Sequence, residues 1–462
     1  MVKVIKRVSL KSRASKIVSR YPVYLVFPPS KWREYALMHY KKEKDSVCGL
    51  ADYLYHKGQI DFNSLATSKL AVRSAFYCGY DSFLEELLEV SINKYPQSTY
   101  FYEMKAEYDI FCGNLKTAYH YALHAYNLDS ENPSIAARKI NLQYAIEKAE
   151  VADHTAIDVL KKQFSSMAVL WAVCKNCQNE EQLNKILSTW DKASGGDECL
   201  FAKAVRPLAN AASRVERFDV AIDLYARAIL LNVEKGITPH LTSKNLGGKN
   251  SLGVIYDLKE VMDKAEIPFF LCAGTVLGIV REGKPLEHDN DIDVGIWENS
   301  WNQEKLYQAF LRDTRFKFEI THPYSSKISV SHRSGVSVDL FKFYRENEYV
   351  WHDSVLVRWK NTPFDLRKIW INNFQIQIPD PVDKYLRENY GEWRKPDPDF
   401  DAFLSENTEV LWPEYVDYHL VRQAYKKICS GNLDGAIQNL KKAQLMLQSV
   451  PEGKKVWEKL LT

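Results

Sequence analysis

The sequence has no long hydrophobic run. Nowhere in its 462 residues is there a stretch approaching the roughly 18 consecutive apolar residues that a transmembrane helix needs. The positively charged amino terminus also lacks the apolar core of roughly 7–15 residues found in a secretion signal. The eight cysteines are scattered and mostly fall within helical patterns, which is typical of free thiols in a reducing compartment. These absences predict a soluble, cytoplasmic protein.

Acidic residues are missing from the beginning of the chain. Nine lysines and arginines precede the first acidic residue, Glu34. A basic segment over 1–59 can lie peripherally on the anionic inner face of a membrane, at about 1 kcal/mol per charge. A solvated terminus is the other interpretation, and both stay open. The whole chain has a net charge of only +3, which gives no indication of nucleic-acid binding.

Small or apolar residues recur in sets of three, spaced four and then three residues apart. This spacing places each set on one face of a helix, where a second helix can approach closely. The four sets are Leu84/Leu88/Ser91, Ala118/Ala122/Ala125, Ala221/Tyr225/Ala228 and Ala436/Leu440/Ala443. They resemble degenerate tetratricopeptide (TPR-like) repeats and predict an α-helical repeat region over 60–243 and a helix pair over 413–462. Stacked helix pairs form concave surfaces, so we expect these repeats to bind a protein partner or an acceptor polymer.

The periodicity changes after residue 243. The segment 244–251 contains two glycines but not the spacing of a phosphate-binding loop, and it predicts a linker. From 252 to 412, helical stripes are interspersed with runs of period two, which are typical of half-buried strands. This region is predicted to be a separate α/β domain with a mixed sheet.

Four aspartates of this domain fall in a pattern that suits a metal ion. In the predicted strand that begins at Asp291, the side chains of Asp291 and Asp293 share one face, and Asp289 continues the same spacing just before it. Asp339 lies in a second strand that is otherwise largely apolar and aromatic. Carboxylates from two strands can hold Mg²⁺, with Mn²⁺ as the alternative. The remaining interpretation is a solvated edge with unrelated aspartates, and we favour the metal site.

A glycine-led element precedes the acidic strand. A short strand is predicted to run into Gly274, and a helix to begin at Thr275, which either caps the helix or offers its hydroxyl to a ligand. Exposed amides at the start of a helix suit a phosphate group. A structural turn that requires glycine explains the same pattern, and both interpretations stay open.

These motifs resemble a known family. The segment 274–281 (Gly-Thr-Val-Leu-Gly-x-x-Arg), followed by 288–293 (His-Asp-Asn-Asp-Ile-Asp), is similar to the signature of LicD/fukutin-type phosphotransferases. The strand 335–341 and the block 378–396 resemble that family's third acidic strand and its closing Tyr-Gly/Trp block. The resemblance covers about 250–400 and implies a nucleotidyltransferase-like catalytic fold.

The resemblance also implies an activity. Members of the family transfer a phosphorylated small alcohol, such as phosphocholine, ribitol phosphate or glycerol phosphate, from a CDP-activated donor to a glycan or lipid-linked glycan hydroxyl, in the synthesis of cell-surface polysaccharides or glycoconjugates. A nucleotidyltransferase acting on a sugar or small molecule, and a catalytically inactive helical-repeat scaffold, are the alternatives.

The family's roles transfer to this sequence residue by residue. By that analogy Asp291 and Asp293 hold the metal against the donor diphosphate, and Asp339 completes the metal site or accepts the proton of the acceptor hydroxyl. Gly274 and Thr275 line the phosphates. Two further substrate-binding candidates have structural alternatives, a salt bridge for Arg281 and a solvated strand position for Lys327.

Overall fold

The computed structural model describes most of the chain. The described residues are 65–239, 251–287, 289, 291–397 and 400–462. The basic segment 1–59 and all but the last residue of the predicted linker 244–251 lie outside them. The chain divides into two compact units, 1–129 and 130–462. No helix in the described residues combines the length and the apolar character needed to cross a bilayer.

The described part of the first unit is helical. Its helices are α1 Leu65–Cys78, α2 Asp81–Lys94, α3 Thr99–Phe111 and α4 Leu115–Leu128. Helices α3 and α4 pack against each other across a turn at Gly113, whose φ of +74° lies in the left-handed region that favours glycine. This is the helix–turn–helix arrangement that the sequence predicts.

The second unit begins with further helices. They are α5 Pro133–Ile146, α6 Ala149–Lys162, α7 Met167–Cys174, α8 Glu180–Ser194, α9 Glu198–Arg214 and α10 Phe218–Lys235. Every member of the four predicted sets of three is at most 1% exposed. The helical region is therefore confirmed, and its assignment to TPR-like repeats stays a prediction.

A mixed sheet follows, as predicted. Its strands are β1 Phe270–Leu271, β2 Asp291–Trp297, β3 Phe316–Phe318, β4 Ile328–His332, β5 Ser337–Glu346, β6 Tyr349–Asp353, β7 Val357–Asn361 and β10 Thr408–Val410. A separate hairpin is formed by β8 Asp365–Ile371 and β9 Phe374–Asp380. The main order is β1-β2-β5-β6-β7-β10, and β4 pairs with both β3 and β5. Only the β2–β5 pair is parallel among these ladders.

Four helices accompany the sheet in the residues that the structure describes. They are α11 Ser251–Lys264, α12 Ala273–Glu282, α13 Gln303–Leu311 and α14 Val382–Tyr390. Their apolar side chains and those of the strands form one buried core, in which Ile292, Val294 and Ile296 of β2 are fully buried. Helix α13 lies between β2 and β3 in the chain.

Gly295 makes the close packing of this core possible. A Cβ at this position would lie 2.4 Å from Cζ of Phe270 and 2.9 Å from Cε2 of Phe343. We expect Gly295→Ala to lower the free energy of unfolding by about 1–3 kcal/mol, because the rings must shift to admit a methyl group. Chemical denaturation of both proteins measures this, and an unchanged midpoint would mean that the rings move aside without cost.

The chain ends in helices that pack back onto the helical region of the same unit. They are α15 Pro413–Cys429, α16 Leu433–Lys442, α17 Gln444–Ser449 and α18 Pro451–Leu460. The Tyr425 hydroxyl donates to the Ala202 carbonyl at 2.9 Å, and the rings of Tyr225 and Tyr425 lie 5.5 Å apart. Helix α15 thus contacts α9 and α10, and α18 packs against α10, although more than 170 residues of chain separate α10 from α15.

Candidate active site

The acidic residues lie where β2 and β5 run in parallel. Asp293 is directly opposite Asp339 in the register of the two strands. Ile292 and Val294 are fully buried and alternate with the aspartates, so Asp291 and Asp293 project from the other face of the sheet. Asp339 is itself only 4% exposed, which shields its carboxylate from bulk water.

The carboxylates form a compact group. Asp289, Asp291 and Asp293 each offer an oxygen, and these oxygens lie within 4.8 Å of one another. Asp339 joins them from the neighbouring strand, because its carboxyl is close enough to share a hydrogen bond with Asp291. Such a set of oxygen atoms suits a hard divalent cation. The structure brings the four predicted residues together, and metal binding itself stays a prediction.

The glycine-led element holds Asp293 in place. Helix α12 begins at Ala273 after an N-cap at Cys272, so the predicted capping role of Thr275 is wrong. Thr275 lies buried within the first turn, and its hydroxyl accepts from the Asp293 amide at 2.7 Å. The Gly274 amide donates to Oδ2 of Asp293 at 3.1 Å. A helix amino terminus therefore faces a carboxylate, which its dipole favours.

Gly274 also leaves room beside the carboxylates. A Cβ on this residue would lie 2.6 Å from Oδ2 of Asp289 and 3.2 Å from Oδ2 of Asp293. Any side chain would therefore fill the space that a ligand of these carboxylates needs. This close approach explains why the turn has a glycine at position 274.

Asp339 is held by two partners from the β4 side. Lys327 donates to Oδ2 of Asp339 and forms an ion pair with it. Ser329 donates to Oδ1 at 2.5 Å from the position directly opposite Asp339 in the β4–β5 register. The sequence analysis placed Lys327 near the substrate and missed Ser329. The alternating run Ile328-Ser329-Val330 contained the signal for it, because Ser329 is the polar position between two apolar ones and lies on the Asp339 face.

The electrostatics of the group follow from its burial. Burial, and then the charges of Asp339 and Asp289, raises the pKa of Asp291 to about 7. Burial and the neighbouring carboxylates raise the pKa of Asp293 well above its usual range. Burial would lower the pKa of Lys327, but the attraction of Asp339 and its neighbours outweighs this effect and raises it. Like charges this close favour a bound cation.

Arg281 has protein partners away from these carboxylates. Its Nη1 donates to the Trp393 carbonyl at 3.2 Å, and its Nη2 lies 3.3 Å from a Glu282 oxygen. These contacts agree with the structural alternative for Arg281. The Tyr385 hydroxyl, in the block that resembles the family's closing motif, accepts from the Ala273 amide at 3.1 Å. Ala273 has a φ of +43°, so this bond supports a strained residue at the start of α12.

Removing one charge from the group should stabilise the metal-free fold. We expect Asp291→Asn to raise the free energy of unfolding by about 1–3 kcal/mol at pH 8 in EDTA, because a buried carboxylate no longer faces its neighbours. Folding raises the pKa of Asp291 to about 7. The destabilisation by its ionised carboxylate is therefore complete above that pH and is lost as the carboxyl takes up a proton at lower pH. The difference should therefore shrink as the pH is lowered.

Thermal and urea unfolding of both proteins between pH 8 and pH 5 check this prediction. Asp263→Asn is the control, since Asp263 is exposed and pairs with Lys259 on the outer surface of α11. A destabilised Asp291→Asn variant would contradict the account of like-charge repulsion.

Comparison with known proteins agrees with this geometry. The family model described as "LicD/FKTN/FKRP, nucleotidyltransferase domain" matches residues 266–380. Curated relatives include ribitol-5-phosphate transferase FKTN of Homo sapiens and of Macaca fascicularis, each 23% identical over 146 residues, or 30% of this chain and 32% of the relative. The Mus musculus protein of the same name is 24% identical over 139 residues, or 28% of this chain and 30% of the relative.

The chain spans about a third of the length of the curated relatives it matches. The family match itself includes β2, β5 and the turn at Gly274, which together carry the acidic group. Residues 266–380 of this chain therefore match the nucleotidyltransferase domain of the LicD/FKTN/FKRP family.

Proposed function

We propose that the chain is a Mg²⁺-dependent phosphotransferase that moves a phosphorylated small alcohol from a CDP-activated donor to a glycan hydroxyl. The observation that supports it most directly is the cluster of Asp289, Asp291, Asp293 and Asp339 beside the Gly274 turn, within a domain of this family. The relatives named as ribitol-5-phosphate transferases favour an alcohol phosphate as the group transferred. The transferase class is thereby supported, and the donor, the metal and the acceptor are parts of the proposal.

The reaction joins the acceptor oxygen to the phosphorus that carries the alcohol. The bond from this phosphorus to the bridging oxygen of the diphosphate breaks, and CMP leaves with that oxygen. The acceptor hydroxyl must lose its proton, and Asp339 is the candidate base because it lies outside the set of three carboxylates and pairs with Lys327. Atoms and charge then balance without any further reactant.

The other residues position the reacting groups. Asp289, Asp291 and Asp293 would hold Mg²⁺, which when bound offsets the charge of the diphosphate. The Gly274 amide and the Thr275 hydroxyl fix the Asp293 side chain and backbone, so its carboxylate is held ready before substrate arrives. Lys327 holds the Asp339 side chain in its orientation. Catalysis of this kind depends mainly on such positioning and on charge neutralisation.

A screen of donors tests the proposal. The full chain is incubated with CDP-choline, CDP-ribitol or CDP-glycerol and Mg²⁺, and released CMP is measured with and without EDTA. We expect Mg²⁺-dependent CMP release from at least one donor, with the alcohol phosphate found on the acceptor or on water by mass spectrometry. A product that carries the nucleotide would favour nucleotidyl transfer, and no turnover with any donor would support the scaffold alternative.

Localisation belongs to the same proposal. We place the enzyme in the cytoplasm, in peripheral contact with the membrane through the basic segment 1–59. Flotation of the full chain with anionic vesicles, compared with a variant in which the nine basic residues before Glu34 are neutralised, tests the contact.

A further inference from the structure

The segment 319–327, which joins β3 to β4, ends at a residue of the candidate active site. Its last residue is Lys327, the partner of Asp339. Both ends of the segment are tied to the sheet, by a hydrogen bond of its first amide and by an isolated bridge at Ser325. Its middle, 320–324, has no strand partner in the described residues. The position of Lys327 therefore depends in part on what holds this middle.

The end of α9, in the helical region of the same unit, holds the middle of the segment. Nη1 of Arg214, the last residue of α9, donates to the Thr321 carbonyl at 2.9 Å, and its Nε donates to the Cys177 carbonyl at 3.4 Å. The guanidinium group is half-buried, and in the part of the chain that the structure describes it has no carboxylate partner. Hydrogen bonds from a charged donor are stronger than those from a neutral one. Arg214 thus joins the segment to the helical region through main-chain carbonyls of both.

A second contact to the segment comes from Glu216, two residues after Arg214. The Tyr324 hydroxyl donates to Oε1 of Glu216, and the Tyr324 ring lies 5.8 Å from that of Trp412, the N-cap of α15. The φ of Glu216 is +61°, in the left-handed region that residues with a side chain rarely adopt. Glycine is the usual residue in this conformation after a helix end. A strained glutamate whose carboxylate holds Tyr324 indicates that this contact accounts for the residue.

Lys327 connects the anchored segment to Asp339. Its ammonium group pairs with the Asp339 carboxylate and lies 5.4 Å from the centre of the Phe341 ring. A shift of the segment would therefore move the cation that orients Asp339. The carboxylates proposed to hold the metal are supported differently, since Asp291 and Asp293 lie within β2 and the start of α12 donates to Asp293. Loss of the anchor should affect Asp339 and leave these two carboxylates in place.

We infer that Arg214 and Glu216 are positioning residues for the transfer. By holding the segment 319–327 they fix Lys327, and through it they orient Asp339 toward the acceptor hydroxyl. The catalytic part of the inference rests on the proposed function, whereas the anchoring is a property of the metal-free chain. The helical region is thereby a support of the active site as well as a surface for partners.

Hydrogen exchange of the full chain in EDTA, followed by mass spectrometry, tests the anchoring without turnover. We expect Arg214→Ala to speed exchange in peptides that cover 319–327 by about tenfold, the effect of losing one hydrogen bond to a charged group, and to leave peptides from β2 unchanged. Arg214→Lys keeps a charged donor, so its exchange rate should lie between those of Arg214→Ala and the wild type. Arg217→Ala is the matched control, because Arg217 pairs with Glu180 and Asp219 within the helical region.

Kinetics and unfolding together separate positioning from a loss of stability. In Arg214→Ala we expect kcat for transfer to fall about 10–100-fold and the KM for the donor to change less than about twofold, since the carboxylates of β2 keep their contacts. Glu216→Gly is the sharper variant, because glycine adopts a φ of +61° without strain. It should unfold at the wild-type temperature or above, and yet show faster exchange in 319–327 and a lower kcat.

The outcomes distinguish this inference from the proposed function. Wild-type exchange over 319–327 in both Arg214→Ala and Glu216→Gly would overturn the anchoring, whether or not the donor screen succeeds. An unchanged kcat in variants with faster exchange, or equally fast exchange in Arg217→Ala, would overturn the positioning role. If Arg214→Ala does not fold, Glu216→Gly decides the question alone. A wild-type protein that turns over no donor would contradict the proposed function, and exchange would still decide the anchoring.

Discussion

Asp293→Asn should lower the rate of alcohol-phosphate transfer by at least about 10³-fold, because one charge is removed from the group that is proposed to hold the metal. The substitution is nearly isosteric. The Gly274 amide can still donate to the side-chain oxygen that replaces Oδ2, and the Asp293 backbone amide still donates to Thr275. The loss of activity should therefore come from impaired catalysis and not from a change in the fold.

CMP release at saturating donor and Mg²⁺ measures the effect, with Asp263→Asn as a surface control. The variant should unfold at the wild-type temperature or above it in EDTA, since burial and neighbouring carboxylates already make the ionised Asp293 unfavourable. Full activity in a correctly folded Asp293→Asn protein would show that the acidic group is not the catalytic centre. Lost activity together with lost stability would instead indicate a structural role.

The strands of the site could be predicted because buried apolar residues recur at every second position along them. Asp291 and Asp293 are separated by Ile292, and Asp339 lies among apolar residues, so the period of two sets both which face is buried and which carries the carboxylates. The parallel register that places Asp293 opposite Asp339 depends on a crossover of about 40 residues between β2 and β5. That register has no local signal, and the sequence analysis placed the two strands together only because their carboxylates suit one metal ion.

Other contacts were not predicted, because they also join residues that are distant in the sequence. Thr275 was expected at the helix cap, but the helix begins earlier and the hydroxyl supports the Asp293 amide, which lies 18 residues away. The contact of α15 with α9 is equally distant in sequence, and it joins Tyr425 to a carbonyl 223 residues earlier. Patterns within a helix or strand show which face is buried but not which partner buries it.

Asp339→Asn should separate proton transfer from metal binding. We expect transfer to a glycan acceptor to fall by about 10²–10⁴-fold, the usual contribution of a general base, while most of the Mg²⁺-dependent stabilisation is kept. The reason is geometric. The three carboxylate oxygens that lie within 4.8 Å of one another belong to Asp289, Asp291 and Asp293, whereas Asp339 is bonded to Lys327 and Ser329.

Thermal unfolding with and without Mg²⁺, together with CMP release, separates the two roles of Asp339. Lys327→Met is the companion variant, because it leaves the buried Asp339 carboxylate without its cation and should destabilise the fold by about 3 kcal/mol. Lys327→Arg, which keeps the charge, should recover much of that loss. If Asp339→Asn abolished the Mg²⁺-dependent stabilisation along with turnover, Asp339 would be a metal ligand, and the proton of the acceptor hydroxyl would need a different base.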